Sequence, residues 1–174
     1  LNIIQEDIFE SIKELEKTGQ KINSLKLNKD NPALNLANWI EDIPIIYYPF
    51  GLEAVAIRFK SVLQENTKSH TIIEDIVESS HNGIMAWEKP SKIQPILLRG
   101  ESDSGKTKQR FDLFSDYFKN NNIECKQVIS IEGNIISKIV NLIYFLDYTS
   151  IYLAVRRKIN PTPVNSITFI KSKL

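Results

Sequence analysis

The chain has 174 residues, 42% hydrophobic and 25% charged, with 22 Lys and Arg against 21 Asp and Glu. That length suits one α/β domain with a real core, and a formal charge of +1 argues against a nucleic-acid partner held by phosphate electrostatics. The single cysteine, Cys125, makes neither an internal disulfide nor a multi-cysteine metal site, which suits a reducing cytoplasm. No leader pattern opens the chain, and no uninterrupted apolar run approaches the roughly 18 residues of a membrane span, so no membrane association is expected.

Apolar residues at Ile3, Ile4, Ile8, Phe9, Ile12 and Leu15 predict an amphipathic helix over residues 3–18. Residues 19–30 are polar, open with a glycine and read as a connector. Asn31-Pro32 then starts a helix through Trp39, with proline at a favoured early position. The run IPIIYY at 43–48 suits a strand buried on both faces. Helical spacing follows over 51–65, a short β-prone stretch over 71–77, and a second buried strand over 95–99. A helix over 107–120 carries Phe111, Phe114, Tyr117 and Phe118 and ends in three asparagines. Residues 128–131 are a third strand candidate, and 135–155 form one or two core helices. The sequence Asn160-Pro161-Thr162-Pro163 breaks that run before a last short helix over 164–173. Strands alternating with helices predict an α/β fold, a three-layer sandwich with a mainly parallel sheet flanked by helices. In such sheets ligands bind beyond the carboxyl ends of the strands.

Two constellations compete for the chemistry. GESDSGKT at 100–107 satisfies the phosphate-loop pattern G-x-x-x-x-G-K-[ST] between a strand and a helix, with Lys106 as the phosphate lysine. Asp147, after the apolar run LIYFL, is the candidate for its Mg²⁺-linked carboxylate. Against that nucleotide-binding reading stand Glu101 and Asp103, two carboxylates where polyphosphate charge has to sit, and the helical periodicity around Asp147. The alternative is a solvated, charged strand-to-helix turn.

The second constellation is a set of three segments: Arg58, Lys60, Glu65, Asn66 and Lys68; then His81, Asn82 and Trp87; then Asn160, Pro161, Pro163, Val164, Ile167, Lys171 and Leu174. Singly, each reads as solvated surface, turn or tail. Together and in this order, over residues 31–174, they resemble the C-terminal half of archaeal-type bifunctional phosphoglucose/phosphomannose isomerases. That resemblance implies a sugar isomerase (SIS) domain of flavodoxin-like type over 31–174, with residues 1–30 a helical lead-in from an N-terminal SIS domain of the same polypeptide preceding Leu1. It implies interconversion of glucose 6-phosphate and mannose 6-phosphate with fructose 6-phosphate through an enediolate, without metal or cofactor.

By the same resemblance Glu65 is the proton-transfer base, at a helix end facing the strand ends. His81 assists ring opening from the neighbouring subunit of a homodimer, and Lys171 positions the ring oxygen. Asn82, Thr162 and Arg58 are the implied substrate-binding residues. Lys173 is the fallback for Lys171, and His70 for His81. The S-x-S-G-x-T phosphate loop of SIS domains does not occur in the sequence, so the main phosphate clamp is expected in the N-terminal domain and the chain alone is expected to be inactive or very weak. A SIS module that binds a phosphosugar without turning it over is the alternative within the fold.

Overall fold

The computed structural model describes residues 4–174, so Ile3 of the first expected helix lies outside the described residues. Four strands form one parallel sheet in the order β2-β1-β3-β4: β1 (Ile43–Tyr48), β2 (Ile72–Asp75), β3 (Ile93–Arg99) and β4 (Lys126–Ile129). Among the described residues seven α-helices surround it: α1 (Gln5–Ile22), α2 (Pro32–Trp39), α3 (Glu53–Thr67), α4 (Ile76–Ser79), α5 (Gly105–Asn120), α6 (Ile135–Arg156) and α7 (Asn165–Lys171), with a 3-10 turn over Gly83–Glu88.

Alternation along the strands sorts the core into two layers. Ile46, Ile96, Leu98 and Val128 pack with α1, α2, α3 and α6 on one face. Ile45, Tyr47 and Leu97 pack with Ile76 and the Phe111, Phe114 and Phe118 face of α5 on the other. This is the expected three-layer α/β sandwich, and its strand order is that of flavodoxin-like sheets.

Local signals set several boundaries. Asn31 caps α2 by accepting from the Leu34 amide at 3.0 Å, and Pro32 takes the first helical position. Buried, the same Asn31 amide donates to the carbonyls of Ile22 and Lys26 at 3.2 and 3.0 Å. The expected strand over 71–77 stops at Asp75, because the Asp75 carboxylate accepts from the amides of Val77 and Glu78 and starts α4.

One expectation is corrected by contacts distant in sequence. The first helix does not end before Gly19 but runs on to Ile22, since α1 lies against α6 and a Cβ at Gly19 would meet the Tyr144 hydroxyl at 3.2 Å. Glycine is there for close approach of two helices, not to terminate one. Residues 135–156 are one helix, and that helix is long and apolar enough by length and composition alone to cross a membrane, although polar residues interrupt its apolar run. It is instead the central core helix: Leu142, Leu146 and Leu153 are buried, and α1, α2 and α3 all pack on it.

The carboxy-terminal turn of α6 closes the amino edge of the sheet. Arg156 donates to the carbonyls of Ala37, Asn38 and Ile40 at 2.8–3.2 Å, satisfying the open end of α2. Arg157 donates to the Glu41 carbonyl at 2.8 Å and to the Ser69 hydroxyl at 2.6 Å, tying the entry of β1 to the loop before β2. Burial, with Arg156 beside it, lowers the pKa of Arg157.

Candidate active site

α3 leaves β1 and returns to parallel β2, so it runs antiparallel to the strands and ends at their amino edge. Glu65 stands in its last turn, exposed, and among the described residues no side-chain donor holds its carboxylate. Glu65 thus stands at a helix end by the strand ends, and these are the amino ends, opposite to the carboxyl ends beyond which such sheets ordinarily bind ligands. A helix that crosses back between adjacent parallel strands carries its C-terminus to the opposite end of the sheet.

Lys68 gathers this corner. It takes a left-handed conformation, with φ of 54°, just past the end of α3. From there its ammonium donates to the carbonyls of Glu65 at 2.7 Å, Pro161 at 3.0 Å and Pro163 at 2.9 Å. These three bonds satisfy an open helix carbonyl and pin the Asn160–Val164 segment, with exposed Thr162 between its two prolines, beside the turn that carries Glu65. The tail continues into α7, whose last residue is Lys171; Lys171 and Lys173 are both exposed. Ile167, Phe169 and Ile170 are 48%, 63% and 57% exposed, so α7 leans on little of this chain.

Arg58, two turns before Glu65, makes a bidentate pair with Asp147 of α6, at 3.1 Å from Nε and 2.8 Å from Nη2. That partner, by hydrogen bond and charge, raises the Arg58 pKa, with a smaller contribution from the Glu65 charge. The amide of Asn66 donates to Ser150 of the same helix at 2.8 Å. The first motif thus divides: Arg58 and Asn66 fasten α3 to α6, while Glu65 stays free.

His81 and Asn82 lie at the other end of the sheet. They follow β2 and α4, where Asn82 helps line a hollow with Tyr48 and Asp75, the last residues of β1 and β2. Both are exposed; the Asn82 amide donates to Glu78 at 2.8 Å. Trp87 turns inward, its indole donating to the Tyr47 hydroxyl at 2.8 Å and its ring meeting Phe118 edge-on at 5.0 Å. Burial pushes the Tyr47 phenol up to about 12, so it stays protonated. Within one chain, then, the Glu65 corner and the His81 turn occupy opposite edges of the sheet.

The loop Gly100–Thr107 has the strand-loop-helix setting of a phosphate loop but is filled by its own side chains. The Asp103 carboxylate accepts from the Gly100 amide at 3.1 Å, and a Cβ at Gly100 would sit 2.6 Å from the same oxygen. Ser104 donates to Thr107 at 3.0 Å, the Glu101 amide donates to the Ser130 hydroxyl at 3.0 Å, and Lys138 reaches Ser102 at 2.6 Å. The second Asp103 oxygen is buried without a donor, and burial raises the Asp103 pKa. An anion is already present where a polyphosphate belongs, which disfavours nucleotide binding through Lys106. Asp147, the proposed Mg²⁺ carboxylate, lies in mid-α6 paired to Arg58, away from this loop in the chain and engaged elsewhere. Among the described residues no group of three His, Cys, Asp or Glu side chains is arranged to hold a metal ion.

A parallel flavodoxin-like sheet sandwiched between helices is the architecture of sugar isomerase domains, and the solved structures it matches include such proteins. A glucose-6-phosphate isomerase-like protein from Thermus thermophilus superposes with a TM-score of 0.74 at 16% identity, covering 90% of this chain and 54% of that one. By sequence, the chain belongs to the family of bacterial phospho-glucose isomerase C-terminal SIS domains, which it matches over residues 29–174. It is 30% identical to a bifunctional phosphoglucose/phosphomannose isomerase of Caldicellulosiruptor bescii over 98% of this chain and 52% of that protein. It is also 26% identical to the protein of the same description from Aquifex aeolicus, over 100% and 54%. The chain spans about half the length of these relatives.

Proposed function

We propose that this chain is the C-terminal half of an aldose–ketose isomerase interconverting glucose 6-phosphate and mannose 6-phosphate with fructose 6-phosphate. The observation that carries the reading is the Lys68 junction, which joins the Glu65 turn to the Asn160–Val164 segment leading to Lys171. Two of the three segments that resemble the isomerase family meet there, although they lie far apart in the chain.

In this reading Glu65 moves the proton between C2 and C1 through an enediolate, the work of a carboxylate beside a carbon acid. An exposed carboxylate without a fixed partner is free to approach a substrate brought by another domain. Lys171 acts at the ring oxygen and Thr162 contacts the sugar. His81, with Asn82, assists ring opening from the second chain of a homodimer; the separation of His81 from Glu65 in one chain favours that arrangement. Arg58 serves by fixing α3 on α6, since a direct contact with sugar requires breaking its pair with Asp147.

An N-terminal SIS domain of the same polypeptide supplies the phosphate clamp, in keeping with the self-filled Gly100–Thr107 loop here. Residues 1–30 are the lead-in between the two domains, and its helix α1 is docked on α6 through Ser11–Ser137 and Asn141–Thr18 bonds at 3.0 and 2.7 Å. No metal or cofactor enters the proton transfer, and the reaction belongs in the cytoplasm.

The test is conversion of fructose 6-phosphate to glucose 6-phosphate by the natural polypeptide that carries this chain, wild type beside Glu65→Gln. Turnover is expected to fall by roughly a hundredfold or more, the loss typical of a general base. Absent wild-type turnover, or a Glu65→Gln protein as fast as wild type, contradicts the reading.

A further inference from the structure

An apolar recess free of the proposed catalytic groups runs along the outer edge of β4, the sheet's last strand and the one farthest from β2. It is a groove of about 530 Å³, within the range of small-molecule sites. Ile22, Trp39, Leu142 and Phe145 are among its apolar walls, and Lys21 and Lys126 among its polar ones. No carboxylate lines it. Lys126 stands 5.6 Å from the centre of the Trp39 ring and is paired with Glu124 at 3.3 Å, an exposed contact of little strength. Lys21 has no ion pair among the described residues. The Trp39 side chain forms part of the wall, while its indole N–H is buried with no acceptor among the described residues.

We propose that this groove binds a small amphipathic anion, a carboxylate on a short aliphatic or aromatic body. The apolar walls take the body, the two lysines take the charge, and a positive wall without any carboxylate selects against cations. The site uses none of Glu65, His81 or Lys171 and stands apart from the isomerase reading.

The probe is octanoate, added to the protein with ¹⁵N-labelled tryptophan while the indole N–H signals of Trp39 and Trp87 are followed by NMR. Trp39→Phe and Trp87→Phe assign the two signals among those of the natural polypeptide that carries this chain. The Trp39 signal is expected to move saturably with octanoate, the Trp87 signal to stay, and octylamine to leave both unmoved. The double variant Lys21→Met/Lys126→Met changes one exposed and one half-buried side chain and is expected to weaken octanoate roughly tenfold, as for two lost charge contacts. Three outcomes overturn the proposal: no saturable movement, equal movement with octylamine, or movement with protein concentration alone, which makes the groove a self-association face.

Discussion

At the carboxyl end of β3 the loop Gly100–Thr107 turns its polar groups on itself, whereas at the amino end of the sheet the last turn of α3 leaves Glu65 free and uses Lys68 to hold the tail. General topology favours the first place for a ligand, because doubly wound sheets bind beyond the carboxyl ends of their strands. Here that end carries an internal carboxylate, Asp103, where an anion is wanted. The uncommitted carboxylate stands at the other end, beside a segment that arrives from the C-terminus. A fold says where its relatives bind, but side-chain chemistry decides which end of this copy is open for use.

The largest effect expected is one that treats both ends alike. Leu146 is 1% exposed in α6, which underlies α1, α2 and α3. Leu146→Ala is expected to cost about 3–5 kcal/mol, seen as a single shifted urea transition reported equally by probes at either edge. Separate transitions would mean that the edges are not one cooperative unit.

Next comes the junction itself. Lys68→Met removes three hydrogen bonds, but the ammonium is exposed, so global stability should fall by only about 1 kcal/mol. Limited proteolysis between Asn160 and Val164 should quicken markedly, with the Gly100–Thr107 loop unaffected. A tail as resistant as in wild type would show that Lys68 does not hold it.

A smaller loss is expected from Arg58→Met, which breaks the bidentate pair with Asp147. At half exposure that pair is worth at most about 1 kcal/mol, measurable by denaturant titration. A larger loss would make Arg58 a main anchor of α3.

The smallest effect has the opposite sign. Burial raises the Asp103 pKa above its ordinary 3.8, so the folded state favours the protonated form. The stability this contributes is present in full below 3.8 and is lost as pH rises through the higher folded value. Asp103→Asn keeps an acceptor for the Gly100 amide while removing a half-buried charge. It should raise the melting temperature slightly at pH 7, and the gain should shrink toward pH 4. A variant less stable than wild type at pH 7 would mean that the charge itself braces the loop.

What the sequence disclosed follows the range of the interactions. The Asn31-Pro32 start of α2, strand β1, and the break at Asn160–Pro163 rest on local rules and appear where expected. Gly19 misleads because its role depends on Tyr144 of α6, a contact no local rule contains. Arg156 and Arg157 read as ordinary last-turn cations, yet their acceptors lie some 115–119 residues back in the chain, except for Ser69. The role of Lys68 was hidden for the same reason: two of its acceptors are main-chain carbonyls 93 and 95 residues away. Carbonyls exist at every residue and leave no mark on composition. The placement of Glu65 was, by contrast, recoverable, since α3 lies between two adjacent parallel strands and must end at their amino edge.

The most direct test of the account follows solvent hydrogen. The natural polypeptide carrying this chain is incubated with fructose 6-phosphate in D₂O, and deuterium at C1 and C2 of the recovered sugar phosphates is measured for wild type, Glu65→Gln and Lys106→Ala. The account predicts deuterium incorporation by wild type and by Lys106→Ala at similar rates, and at most about a hundredth of that rate by Glu65→Gln. Incorporation by Glu65→Gln at the wild-type rate, or its loss in Lys106→Ala, would contradict the assignment of the chemistry to the amino edge.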